Sequence, residues 1–115
     1  MYRMSYAEIA DDDSQERRSR EVLAFDHGIE LLTRAAAGDP RSAEATEAVR
    51  YVQQLWGFLI SDLSDPGNSL SGPLRTDLIS IGLWVIREAD RLLSGASQSF
   101  TGLIDINRTV RDGLR

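Results

Sequence analysis

Apolar residues recur along this chain at the spacing of amphipathic helices, and no segment shows the two-residue alternation of a β-strand. The most apolar stretch is residues 78–86, in which seven of nine residues are large and apolar and none is charged. Pro73 precedes this stretch and Gly95 follows it, and these residue types favour the first turn and the C-terminal end of a helix. We therefore predict a helix over residues 73–94. Because this helix is apolar on nearly every side, other parts of the chain must cover it.

Three other segments each carry one apolar stripe in which steps of three and four residues alternate, as on one face of a helix. The stripes consist of Val22, Phe25, Ile29, Leu32 and Ala36, then Ala45, Val49, Val52, Trp56, Leu59 and Leu63, and finally Phe100, Leu103, Asn107, Val110 and Leu114. Loops rich in Gly, Pro, Ser and Asp separate them. The stripes predict helices near residues 14–37, 42–63 and 99–113.

Four amphipathic helices with short connections predict an all-α fold, an antiparallel four-helix bundle. The helices near 42–63 and 73–94 would form its inner pair. We expect the core to include Ile29, Leu32, Val52, Trp56, Leu59, Leu78, Ile81, Val85 and Leu103.

The first predicted helix has a recognisable start. Asp13 and Glu16 have the spacing of a capping box, which favours a helix beginning at this point. We therefore assign residues 1–13 to an N-terminal tail and residues 14–115 to a single helical domain.

The tail is richer in aromatic and apolar side chains than a disordered segment usually is. Chain termini are ordered only where something ties them down. We predict that the tail packs on the bundle, with Tyr2 and Tyr6 as its anchors. Three roles are open to it: it completes the core, it occupies a partner's groove as a plug, or it closes over a bound partner as a clamp.

The second helix has a broader apolar face than one neighbouring helix needs, because a second stripe lies beside its main one. The last helix is short and the first has a narrow stripe, so we expect a groove between the second and third helices. Trp56 could pack in the core or line that groove. Asn107 could form a buried hydrogen bond or contact the backbone of a partner. The candidate partner-binding residues are Tyr2, Tyr6, Tyr51, Leu55, Trp56, Phe58, Leu83 and Asn107.

The composition argues against an enzyme. The chain has no Cys, which excludes disulfides, thiolate chemistry and Cys-ligated zinc. His27 is the only histidine, it lies off the apolar stripe of its helix, and no metal-ligand pattern surrounds it. There is no Lys for a phosphate-binding loop of the Walker type. We therefore expect no catalytic residue, no metal and no cofactor.

Charge and hydropathy bear on the partners and the location. The formal net charge is −5 and the pI about 4.8, which disfavours non-specific binding to nucleic acid. All thirteen basic residues are Arg. The longest uncharged run, residues 51–61, is far shorter than the ~20 residues that span a bilayer. No signal peptide is recognisable, so we expect a soluble cytoplasmic protein that does not insert into a membrane.

Several short strings, taken together and in order, resemble the flagellar biosynthesis regulator FlaF family of alphaproteobacteria. The resemblance covers nearly the whole chain, and its strongest part is Leu103-Ile104-Asp105-Ile106-Asn107-Arg108 followed by Gly113-Leu114. The other strings are Met1-Tyr2 with Tyr6-Ala7, Arg20-Glu21, Leu55-Trp56 with Asp62-Leu63, and Asn68, Leu70, Pro73, Leu74-Arg75 with Ile79-Ser80-Ile81. The chain departs from the family where Ser71-Gly72 separates Leu70 from Pro73, since the family usually runs Leu straight into Pro.

The resemblance implies a small cytoplasmic helper of flagellum assembly. Members of the family look like flagellin secretion chaperones that promote flagellin synthesis and export. Their implied partners are flagellin, through an amphipathic terminal segment that would bind as a helix in a groove, and FlbT, which looks like the protein that restrains flagellin translation.

Two other functions remain open at this point. The chain could regulate flagellin mRNA after transcription together with FlbT, by protein contacts or by direct RNA binding through Arg17-Arg18-Arg20 or Arg108-Arg111-Arg115. It could also be a structural subunit that pairs with FlbT or with itself. Direct RNA contacts would give a steep dependence of affinity on salt, and a pull-down with flagellin in the absence of FlbT would separate a chaperone from a structural subunit.

Overall fold

The computed structural model describes the backbone of residues 6–114 and the side chains of residues 15–114. Within this part of the chain four α-helices follow one another without any strand: α1 (Tyr6–Ala36), α2 (Ala43–Ser64), α3 (Gly72–Ser94) and α4 (Thr101–Leu114). Short loops join them, so that consecutive helices run antiparallel. The predicted all-α four-helix bundle is confirmed, and the bounds of α2, α3 and α4 agree with the predicted ones to within two residues.

The start of α1 differs from the prediction. The helix begins at Tyr6 and continues through Asp13 and Glu16, so these two residues do not form a capping box. Acidic residues favour the first turn of a helix and are also compatible with its exposed interior, so their spacing alone does not separate the two. The side chain of Tyr6 and all of Tyr2 lie outside the described residues, and the packing of the tail therefore remains a prediction.

Specific residues fix the ends of α2 and α3. Ser42 caps the N-terminus of α2, where its hydroxyl accepts a hydrogen bond of 3.0 Å from the backbone N–H of Ala45. Ser71 occupies the same position before α3, directly ahead of Gly72 and Pro73. Gly95 ends α3 with a φ of +82°, a left-handed conformation that glycine adopts without steric cost. The glycine and proline signals at the two ends of α3 therefore act as predicted.

The helices pack in an order that leaves one seam open. α1 lies against both α2 and α4, α2 lies against α3, and α3 touches α4 only weakly. Trp56 of α2 is fully buried and meets the ring of Phe25 edge-on, with ring centroids 5.8 Å apart. Of the nine predicted core residues six are buried, while three are only half-buried, namely Leu59, Leu78 and Ile81. Ile81 is half-buried because it lies on the side of α3 that faces the open seam.

Candidate partner-binding site

The residues predicted to line a groove between the second and third helices do not come together there. Tyr51 packs on α1 instead. Its hydroxyl donates a 3.2 Å hydrogen bond to the carbonyl oxygen of Ala24. Its ring meets the ring of His27 edge-on, with ring centroids 4.9 Å apart. Leu55, one turn further along the same side of α2, is half-buried against the core. The periodicity correctly grouped these residues on one side of α2, but that side faces α1 and not α3.

The α2–α3 interface is closed because Gly82 lets the two helices approach each other. A Cβ atom built on Gly82 would lie only 2.9 Å from side-chain carbons of Ile60 and of Trp56. On the same side of α2, the Gln53 amide donates a 2.7 Å hydrogen bond to the Asp90 carboxylate of α3. Around Gly82 this close packing leaves no room for a partner helix between α2 and α3.

Two other candidates are exposed but do not share a surface. Phe58 is 77% exposed on α2 and Leu83 is 50% exposed on α3. Phe58 lies on the same side of α2 as Tyr51 and Leu55, seven and three residues away, whereas Leu83 lies on the outer side of α3. Single exposed apolar residues are common on protein surfaces and carry no functional argument by themselves.

Trp56 and Asn107 belong to the core. Trp56 Nε1 donates a 2.9 Å hydrogen bond to Oδ1 of Asn107, and Nδ2 of Asn107 donates one of 2.7 Å to the carbonyl oxygen of Leu103. Asn107 is 1% exposed and Trp56 is 0% exposed. Of the two roles considered for each residue, the structure therefore supports core packing for Trp56 and a buried hydrogen bond for Asn107.

An open apolar groove lies between α3 and α4 and encloses about 380 Å³. Ile81 and Trp84 form its α3 wall, and Ile106 is the apolar residue of its α4 wall. The groove is completed by three further residues of α4, which are Gly102, Asp105 and Thr109. Trp84 is 39% exposed although it is one of the largest apolar side chains of the protein. Since α4 packs on α1, no element of the described chain covers this side of α3.

The Trp84 ring fills one end of the groove. It lies over Gly102, where an added Cβ would be 3.1 Å from Cη2 of the indole. Gly102 lies on the same face of α4 as Ile106 and Thr109, because their spacing is four and three residues.

The sequence carries signals for this groove. Trp84 belongs to the apolar stretch of residues 78–86, and Ile106 lies beside the predicted stripe of α4. The alternation of small residues with Ile106 along one face of α4 marks a surface that a second helix can approach closely. What the sequence could not indicate is that α4 lies nearer to α1 than to α3.

A second depression of about 290 Å³ lies between the start of α2 and the end of α3. The residues around it are Pro40, Arg41, Ala45, Thr46, Val49, Leu92, Leu93, Ser94 and Gly95. Arg41 is the only ionisable residue among them.

One carboxyl group at the α1–α2 interface has a perturbed pKa. Partial burial raises the pKa of Glu21 above its usual value, and the nearby carboxylate of Asp62 raises it further. The guanidinium groups of α1 at Arg17, Arg18 and Arg20 oppose these effects. Glu21 lies away from the open groove, and its raised pKa makes the stability of the fold depend on pH.

The arginine clusters considered for RNA binding differ in their availability. Arg111 donates hydrogen bonds of 3.0 Å to Asp26 and 3.1 Å to Asp112, so its guanidinium group already has two carboxylate partners. Arg115 lies outside the described residues. Arg17, Arg18 and Arg20 are exposed on α1. A phosphate-binding surface could therefore use the α1 cluster more readily than the α4 cluster.

Among the residues whose side chains are described, no group of three or more His, Asp or Glu could hold a metal ion. None of the described helices has the length and hydropathy needed to cross a bilayer. The arrangement is suited to binding an apolar surface, and the open α3–α4 groove is the place where this could occur.

Comparison with known families gives a match that covers almost the whole chain. The model of the family described as "Flagellar protein FlaF" matches residues 2–114. Neither a curated protein nor a solved structure matches the chain.

Proposed function

This chain belongs to the FlaF family of flagellar proteins, and on that premise we propose that it binds flagellin as a secretion chaperone and promotes flagellin synthesis and export. The open α3–α4 groove is the observation that carries this proposal. We place the protein among binding proteins and not among enzymes, and we place its action in the cytoplasm, before flagellin is exported.

The groove supports this function because it has the form that a helix-binding site requires. Ile81, Trp84 and Ile106 provide an apolar floor between two helices, and such a floor binds the apolar face of an amphipathic helix. A filament subunit must keep its self-associating segments from burying one another before assembly. Covering one of them in the α3–α4 groove would hold it in an unassembled form.

The rival function of direct mRNA binding has less support. The net charge of −5 opposes contact with phosphate, and Arg111 is held by Asp26 and Asp112. An influence on flagellin mRNA would then run through protein contacts, with FlbT as the candidate intermediary. Affinity for a flagellin mRNA leader that falls steeply with salt would support direct binding instead.

The test is a calorimetric titration of the purified chain with the organism's own flagellin, without FlbT. Trp84→Glu places a charge in the groove, and burying an unpaired charge is costly, so affinity should fall by at least about tenfold. Leu83→Glu is the matched control, because Leu83 is the preceding residue on α3, is more exposed than Trp84 and lies outside the groove. It should bind flagellin as the wild type does.

Two results would overturn the proposal. One is the absence of flagellin binding by the wild-type protein, which would leave a structural subunit or an RNA-binding regulator. The other is equal affinity of the Trp84→Glu and Leu83→Glu variants with both proteins folded, as judged by helical circular dichroism and melting temperature.

A further inference from the structure

Resting on the proposed function for the consequence in flagellin binding, we infer that Arg111 and Asp26 are positioning residues of the α3–α4 groove. The ion pair between them holds the last turns of α4 against α1 and thereby keeps the groove open. Neither residue lines the groove, so both act on it through the position of α4.

Side-chain hydrogen bonds join α4 to α1 and α2 but not to α3. Arg111 of α4 donates a bond of 3.0 Å to the Asp26 carboxylate of α1, while its bond to Asp112 stays within α4. Asn107 accepts a bond of 2.9 Å from the Trp56 indole of α2. Between α3 and α4, which the structure describes in full, no hydrogen bond or ion pair is formed. The polar contacts therefore fix α4 on the side away from α3.

The contact at the start of α4 shows which part of α3 its last turn could cover. Trp84 of α3 lies over Gly102 of α4. Consecutive helices run antiparallel with the same rise per residue, so Asp112 and Leu74, each ten residues beyond that contact, lie at about the same level. The last turn of α4 is thus level with the N-terminal end of α3.

This end of α3 is where its apolar stripe loses its cover. Leu74, Leu78, Ile81 and Val85 follow one another at steps of four, three and four residues and so share a face. Val85 is 0% exposed, Leu78 and Ile81 are half-buried, and Leu74 is 47% exposed. The end of the bundle does not by itself explain this exposure, because Leu63 in the last turn of α2 is buried. The position of α4 therefore leaves part of the stripe open to solvent.

The exposed stripe favours a movement of α4 toward α3, because burial of apolar surface is stabilising. The half-buried Val110 of α4 would then pack nearer to Leu78, and the groove would narrow. Such a movement would separate Arg111 from Asp26 and break a charge-assisted hydrogen bond. The ion pair therefore opposes closure of the groove, and its removal should shift α4 toward α3.

An indole at position 74 reports on this movement. The reporter protein carries Leu74→Trp at the exposed end of the stripe, and Trp84→Phe removes the other exposed indole. Trp56 is 0% exposed, so quenching by acrylamide then measures the exposure of the introduced indole. Adding Arg111→Met should lower the quenching constant by about twofold or more, because α4 covers this end of α3 for more of the time. A fold that is merely loosened would raise the constant instead.

Arg34→Met is the matched control. It makes the same substitution and breaks the 2.6 Å ion pair with Glu30, which lies within α1, so it should leave the quenching constant unchanged. Arg111→Lys keeps the charge as a single ammonium group, which suffices for one bond to Asp26, and should retain most of the reporter's value.

Asp26→Asn tests the same ion pair from the side of α1. It should lower the quenching constant as Arg111→Met does, and the double variant should lower it no further than either single variant. Helical circular dichroism and the melting temperature establish that each variant is folded.

Flagellin binding gives the consequence for function. If the partner needs the open groove, its apparent affinity falls with the fraction of molecules whose groove is open. In the otherwise wild-type protein, Arg111→Met should then weaken flagellin binding by about three- to tenfold, and Arg34→Met should leave it unchanged.

The results separate the role of the ion pair from the proposed function. A quenching constant that stays the same or rises in both Arg111→Met and Asp26→Asn, or that falls equally in Arg34→Met, would show that the pair does not position α4. Unfolding of both variants would make the pair a requirement of the fold and overturn its positioning role. If the constant falls as expected but the wild type does not bind flagellin, the pair holds the groove open and the proposed function is wrong. If flagellin binds the wild type and the constant does not fall, the proposed function stands and the positioning role is wrong.

Discussion

Trp56 and Asn107 are joined by a hydrogen bond of 2.9 Å between the indole Nε1 and the amide Oδ1, in the centre of the bundle. The bond links α2 to α4, two helices whose backbones lie apart on the diagonal of the bundle and which meet through side chains. Asn107 satisfies its own N–H through the Leu103 carbonyl oxygen one turn earlier. Among the described residues no buried polar side-chain atom is left without a partner. This polar pair therefore holds α4 in one position relative to the core.

We predict that Asn107→Leu destabilises the protein although it makes the core more apolar. The change leaves the Trp56 N–H buried without an acceptor, which costs about 1–3 kcal/mol. Urea unfolding followed by circular dichroism measures the loss. In the double variant with Trp56→Phe no polar group remains unpaired, so its stability should exceed the value expected if the two single losses added. Simple additivity would contradict a direct coupling between the two side chains.

The Trp56→Ala variant tests the core position of the ring itself. Because Trp56 is fully buried and contacts Phe25, its truncation should lower the free energy of unfolding by about 3–5 kcal/mol. Phe58→Ala, on the same helix and 77% exposed, should change it by less than about 0.5 kcal/mol. A small effect of Trp56→Ala would mean that the ring is not part of the stable core.

Substitution of glycine by alanine should change the stability of the protein in opposite directions at Gly82 and at Gly57. Gly82→Ala places a Cβ 2.9 Å from Ile60 and Trp56, and the resulting overpacking should destabilise by about 1–3 kcal/mol. Gly57→Ala meets open space and should stabilise by about 0.5–1 kcal/mol through helix propensity. Thermal unfolding of both variants checks the difference. Stabilisation by Gly82→Ala would show that α2 and α3 are not in close contact there.

The periodicity of the sequence predicted the helices well because burial in a bundle requires apolar residues at steps of three and four. The stripe from Ala45 to Leu63 is buried or half-buried at every position, and Gly95 ends α3 as expected. The start of α1 was missed because acidic residues are compatible with both a helix cap and an exposed helix interior.

The binding site was harder to predict than the helices. Periodicity places Tyr51, Leu55 and Phe58 on one side of α2, but it does not say which neighbour that side meets. The answer depends on Gly82, which closes the α2–α3 interface, and this residue was read only as part of an apolar stretch. A groove is a property of two helices and their angle, and neither helix encodes it alone.

Glu21 makes the stability of the protein depend on pH in a direction opposite to that of most carboxylates. Burial raises the pKa of Glu21 above its usual value of 4.5, and repulsion from Asp62 adds to the effect. The folded protein therefore binds this proton more tightly than the unfolded chain does. Above the raised pKa the carboxylate opposes folding, and that penalty disappears as the pH falls through the raised pKa toward 4.5.

We predict that Glu21→Gln raises the melting temperature at pH 7 and that this gain fades as the pH falls toward about 4, where Glu21 is mostly protonated in both states. Gln keeps the shape of the side chain and removes only the charge. The control is Glu16→Gln, an exposed carboxylate on the same helix, which should have little effect at either pH. Asp62→Asn should reproduce part of the gain, because it removes the like charge that faces Glu21. If Glu21→Gln lowers the melting temperature at pH 7, attraction to Arg17, Arg18 and Arg20 outweighs burial and repulsion, and the pKa of Glu21 must then be lowered in the folded protein.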